Sequence, residues 1–182
     1  MITLLYVVGQ TAGWLACIYG AAHERHWLGV LAVMALLVLH LVIRANRSLR
    51  RILTVALMSL LFGFCFDSLL ILGRVYVPVR WLVPVPWATI WLMALWVNFA
   101  LIVDVPLRWL QQHLGVAAVF GAIFGPAAYL AGQRLGAIRI AEPIRFHVAV
   151  LAVAWALGLA ALMLAARWLP AFPPRTSAPT ES

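Results

Sequence analysis

Any chemistry in this chain must come from a few polar residues set in long apolar runs. The sharpest is Asp67, within Gly63-Phe64-Cys65-Phe66-Asp67-Ser68-Leu69-Leu70. A carboxyl group at the centre of a membrane helix costs roughly 2.5–3.5 kcal/mol on insertion scales, so it usually faces a bundle interior and has a partner. Arg74, Tyr129, Gln133 and Arg134 are the polar residues expected in the same leaflet. Two arrangements stay open. A salt bridge to Arg134 or Arg74 would make Asp67 structural, and a polar pocket would leave it for a ligand or a proton. His40, one turn before Arg44, is either a core histidine bonded to a carbonyl or part of a second polar site. Gln10 shares a helix face with Trp14 and Cys17, and Asn98 shares one with Trp91. Asp104, before Val105-Pro106, reads as the cap of a restarting helix that runs along the interface to His113.

Several chemistries lack their residues. His23 and His26 read as a polar turn between antiparallel helices rather than a metal pair. Cys17 and Cys65 lie in apolar runs, without disulfide or metal-site spacing. The pattern calls for no metal and no cofactor. It also has no nucleophile motif and no second acid within reach of Asp67, which weighs against an enzyme.

The elements that must position these residues are membrane helices. Of 182 residues, 66% are hydrophobic and 10% charged, with mean hydropathy +1.04. A soluble domain carries about 25% charged residues. At ~20 residues per span the length allows six spans and no soluble domain, an all-α bundle. The expected spans are Ile2–Ala22, Trp27–Ile43, Ile52–Gly73, Trp87–Val103, Leu114–Gly132 and His147–Leu169, one domain over 1–169. The proline-rich tail, 170–182, is expected to be disordered. Three prolines between Tyr76 and Pro86 exclude a continuous helix, so that segment is expected at the headgroup level, or as a lid over a pocket.

Two small-residue patterns predict close packing. Ser59, Gly63 and Asp67 form a stripe on the third span. Gly121, Gly125, Gly132 and Gly136 line one face of the fifth, where Gly125→Leu is expected to block a close approach. The thirteen basic residues are all arginine and sit mostly between spans. That distribution suits topology and lipid phosphates rather than nucleic acid. If the cluster Arg44, Arg47, Arg50 and Arg51 is cytoplasmic, both termini are too.

With these residues in view, nearly the whole chain resembles a small bacterial family of integral membrane proteins of unknown function. The resemblance is carried by Gln10-x-x-x-Trp14, Asp67-Ser68-Leu69-Leu70, Trp109-Leu110 and, most specifically, the run from Gly125-Pro126 through Tyr129 and Gln133-Arg134 to Ala137. It implies an inner-membrane location. Through genes that lie near those for cyclopropane-fatty-acid-synthase-like enzymes and photolyases, it also implies a link to membrane-lipid modification under stress. It transfers no role to Asn98 or Asp104. Three readings follow: an accessory protein partnered by membrane lipids, other membrane proteins or a lipid-modifying enzyme; a small-solute permease or substrate-binding subunit; or an intramembrane enzyme.

Overall fold

A computed structural model describes residues 2–44, 49–80 and 87–169. Six helices follow the apolar runs: α1 Ile2–Ala22, α2 His26–Ile43, α3 Leu49–Leu72, α4 Ile90–Val103, α5 Leu114–Arg134 and α6 Ile144–Trp168. All but α4 are long and apolar enough to cross a membrane. The chain is thus an all-α integral membrane bundle. The tail expected to be disordered lies outside the described residues.

α4 has 14 residues, or ~21 Å at 1.5 Å each, short of a ~30 Å hydrocarbon core. It is also the most enclosed helix, packed on α1, α2 and α3 and buried along nearly its whole length. Its start is a correction to the expected span: Trp87–Thr89 are not helical, and the helix begins at Ile90. The Ser68 hydroxyl of α3 instead accepts the Ala88 N–H at 3.1 Å. That side chain satisfies a buried backbone donor which lipid cannot.

The segment after α3 holds an element the sequence pattern did not suggest. Arg74 turns the chain in the left-handed region, at φ 56°, into a short strand, β1 Tyr76–Pro78. Gly136, at φ 81°, does the same after α5 and leads into β2 Ile138–Ile140. The strands pair antiparallel, with Tyr76 opposite Ile140 and Pro78 opposite Ile138. Alternation along a strand sends Tyr76, Pro78, Ile138 and Ile140 inward and leaves Val77 and Arg139 exposed, so this part of the segment caps the end of the bundle as a plug, while residues 81–86 lie outside the described residues. The Gln133 side chain accepts the Ile140 N–H at 2.6 Å, pairing a strand-edge donor.

A second correction is at the other end of the bundle. No helix restarts at Asp104: it is the C-cap residue of α4, and only turns and a 3-10 segment, Arg108–Gln112, lead to α5. The Asp104 carboxylate is already taken up by a cation. Arg51, from the first turn of α3, grips it with Nε at 2.7 Å and Nη2 at 2.8 Å, and Gln111 donates at 3.1 Å. Arg51 also donates to the Leu169 carbonyl at 2.7 Å, tying the ends of α3, α4 and α6 together. Burial pushes the Asp104 carboxyl up, but hydrogen bonds from Arg51 and Gln111 outweigh it and hold the group below the ordinary carboxylate range.

Candidate functional site

Asp67 is 2% exposed, on the face of α3 that meets α4. Its carboxyl accepts three hydrogen bonds, each from a different element. Tyr76 Oη from β1 donates to Oδ1 at 2.7 Å, Tyr129 Oη from α5 to Oδ1 at 2.5 Å, and Trp96 Nε1 from α4 to Oδ2 at 2.6 Å. At about 0.5–3 kcal/mol per bond, depending on the charge of the acceptor, three such donors together are of the same order as the insertion cost of the acid.

Of the two arrangements left open, the salt bridge to Arg134 or Arg74 is therefore overturned. Arg74 and Arg134 are exposed, and among the described residues neither forms an ion pair with Asp67. The reason is their position: Arg74 follows the end of α3, and Arg134 closes the last turn of α5, where a long cationic side chain reaches water. Phenol and indole donors are content in an apolar wall, and they fill the place an arginine was expected to take. Of the residues singled out at this depth, Tyr129 meets Asp67, and Gln133 serves the backbone of β2 instead.

Trp96 and Tyr76 are the partners the sequence reasoning missed. Trp96 had a signal in Gly63, one turn before Asp67 on the Ser59-Gly63-Asp67 stripe. A Cβ built on Gly63 would lie 2.0 Å from Trp96 Cγ, so the glycine is the seat of the indole. The ring is held on its other sides as well. It stacks on Trp155 at 5.3 Å and 3°, with Phe62 and Phe66 edge-on at 5.5 and 5.6 Å. Tyr76 meets Tyr129 edge to face at 4.9 Å.

The glycines of α5 divide. A Cβ at Gly121 would sit 2.2 Å from the Trp155 carbonyl oxygen and one at Gly125 2.2 Å from Trp155 Cγ, so both make room for α6. Gly132 has only ordinary 3.6 Å neighbours, and Gly136 has none within 4 Å and serves the turn.

Because α5 leans on α6, a cleft remains between that pair and α1 and α4. It holds a cavity of about 230 Å³, walled mainly by Trp14, Trp91, Leu95, Phe99, Phe120 and Ala128. Asp67, Tyr76 and Tyr129 line it beside Gly132 and Ile138, toward the strand plug, and the exposed Phe124 lies at its lip. Among the described residues, the buried polar atoms of its lining that lack a hydrogen-bond partner include Nε1 of Trp91, which is 1% exposed, Nε1 of Trp155, and Oε1 of Gln10. The cavity is thus apolar, with the carboxyl cluster at one end and unused donors and an acceptor in its walls.

The other singled-out residues lie apart from Asp67. Asn98 donates to the Gln10 carbonyl at 2.9 Å, in space left by Gly13, whose Cβ would stand 2.4 Å from the Asn98 Oδ1. His40 Nδ1 shares a hydrogen bond with Tyr6 Oη at 2.8 Å, joining α2 to α1. Among the described residues no three of His, Cys, Asp and Glu converge as a metal site would require.

Residues 3–161 match the model of a family described as "Protein of unknown function (DUF2878)", and the chain belongs to that family. No curated protein and no solved structure matches the chain.

Proposed function

We propose that this member of a family without an assigned activity is a lipid-handling accessory protein of the bacterial inner membrane. Its cleft takes up part of an acyl chain. The observation that carries this reading is the aromatic cavity between α1, α4, α5 and α6, which pairs an apolar wall with the unsatisfied Trp91 donor and Gln10 acceptor. Its volume of about 230 Å³ is below the roughly 300–1,000 Å³ of sites for drug-sized ligands and suits one chain segment. A chain bearing an ester or other small polar group would meet the free donor. The partner class that fits such a carrier is a lipid-modifying enzyme acting on the same acyl chains.

Filling the cavity tests the reading. Ala128 lines it half-buried, so Ala128→Phe occupies the space with little cost to the rest of the bundle. Wild-type protein in membranes should crosslink a photoreactive acyl chain at the cavity wall. Ala128→Phe should lower that yield by roughly tenfold, the equivalent of about 1.4 kcal/mol in binding. In a deletion strain the wild-type gene should restore the acyl profile and the filled variant should not. Equal crosslinking by both proteins would remove the cavity from the mechanism.

The same reading places both termini in the cytoplasm, because the end of the bundle that carries Arg44, Arg50 and Arg51 then faces the side where positive charge concentrates. A cysteine at position 139, on the exposed side of β2, should label from outside intact cells, and one at position 50 should not. Labelling of position 50 from outside would invert the topology.

A further inference from the structure

At the opposite end from the strand plug, the bundle opens into a larger cavity of about 500 Å³, within the usual size range of ligand sites. We infer that it binds the phosphate group of an anionic phospholipid at the membrane–water boundary. Neither the Asp67 cluster nor the acyl cavity contributes to it, so this inference stands independently of the function proposed above.

Four guanidinium groups line the cavity: Arg44 after α2, Arg51 in α3, Arg108 at the start of the 3-10 segment and Arg167 in the last turn of α6. Among the described residues one carboxylate, Asp104, lines it with them. That carboxylate is occupied, since the Arg51 fork holds both its oxygens. Arg44, Arg108 and Arg167 have no carboxylate partner among the described residues. Arg108 feels the Asp104 charge through space, but one carboxylate against four guanidinium groups leaves this concave surface with an excess of positive charge.

The ends of three helices account for part of this. α2, α4 and α6 all finish here, and helix C-termini attract cations. That attraction explains arginines near each end but not three of them around a shared cavity. A guanidinium matches a phosphate with two parallel N–H donors, and an arginine-lined basic pocket at the end of a membrane bundle suits an anionic headgroup. The floor of the cavity is apolar, with Val55 of α3 and Ala100 of α4, as the first carbons of a lipid would require. The exposed Gln112 adds a polar side chain to the rim.

The purified full-length protein in neutral detergent can be titrated with phosphatidylglycerol, phosphatidylcholine and inorganic phosphate. Thermal unfolding and native mass spectrometry both report the result. Phosphatidylglycerol should raise the melting temperature and give a retained one-to-one complex, with phosphatidylcholine binding at least about tenfold more weakly. The double variant Arg108→Gln, Arg167→Gln changes two exposed side chains and should lose most of the response while unfolding at nearly the wild-type temperature. Saturation by inorganic phosphate as well as by the lipid would keep the phosphate site and assign it a soluble source. Equal binding of the two phospholipids, no binding of either phosphate source, or an undiminished response in the double variant would each overturn the site. The wild-type titration decides the matter even where the variant is poorly produced.

Discussion

Asp67→Ala should unfold far below the wild type, losing about 3 kcal/mol or more. Three buried donors lose their Asp67 acceptor at once: the Tyr76 and Tyr129 hydroxyls and the Trp96 indole N–H. Each costs roughly 1–3 kcal/mol when left unpaired. At about 2–4 °C per kcal/mol for a chain of this size, the melting temperature in detergent should fall by at least ~6 °C. Asp67→Asn should lose less, because an amide keeps the shape and can point its oxygen at Trp96 while donating to the phenols. Tyr129→Phe should cost least, since it removes a donor and leaves the acceptor two others. The arginines supply the contrast. Arg74→Gln and Arg134→Gln change exposed side chains outside the cluster and should stay within about 0.5 kcal/mol of wild type. Neither should restore an Asp67 variant. A double-mutant cycle in which Arg134→Gln recovers most of the Asp67→Asn loss would mean that the carboxylate is paired with that cation after all.

That contrast also shows how far the residues speak for themselves. The helices were legible because each is a long apolar run, and all but α4 reach full membrane length. The strands were not, since three residues are too few for alternation to stand out, and Tyr76-Val77-Pro78 ends in a residue that removes a donor. The burial of Asp67 could be read from its apolar surroundings, but its partners could not. Charge complementarity favours an arginine, and the sequence offered two at the right depth. Depth along a helix does not fix direction, and a guanidinium within reach of water goes to water. The Arg51–Asp104 pair escaped for another reason. It joins residues 53 apart through the packing of α3 on the end of α4, and no local pattern encodes that contact. The stripe of Ser59, Gly63 and Asp67 was visible as a close-packing signal. What it lacked was the identity of the ring seated on it.

Gly63→Ala tests that seat, and one methyl group should be enough to damage the site. The added Cβ would lie 2.0, 2.2 and 2.3 Å from Trp96 Cγ, Cδ1 and Cδ2. These ring atoms lie close to the backbone, so no flexible tip can swing aside. The indole has little room to retreat, with Trp155 stacked at 5.3 Å and Phe62 and Phe66 against its edges. Either α3 and α4 separate or the ring rotates, and rotation takes Nε1 away from Asp67. Overpacking alone costs about 1–3 kcal/mol, and the lost hydrogen bond adds roughly 1–3 kcal/mol. The gain in helix propensity from glycine to alanine, about 1 kcal/mol, is too small to reverse the sign. Gly132→Ala supplies the internal comparison. Its Cβ would meet neighbours at an ordinary 3.6 Å, so the propensity term should dominate and stability should hold or rise. Melting temperature and tryptophan emission, recorded for both variants, should therefore diverge. Gly63→Ala should melt lower with a shifted spectrum, and Gly132→Ala should match the wild type. A Gly63→Ala protein with wild-type melting and an unchanged spectrum would show that Trp96 does not sit against α3 and that the carboxyl cluster is assembled some other way.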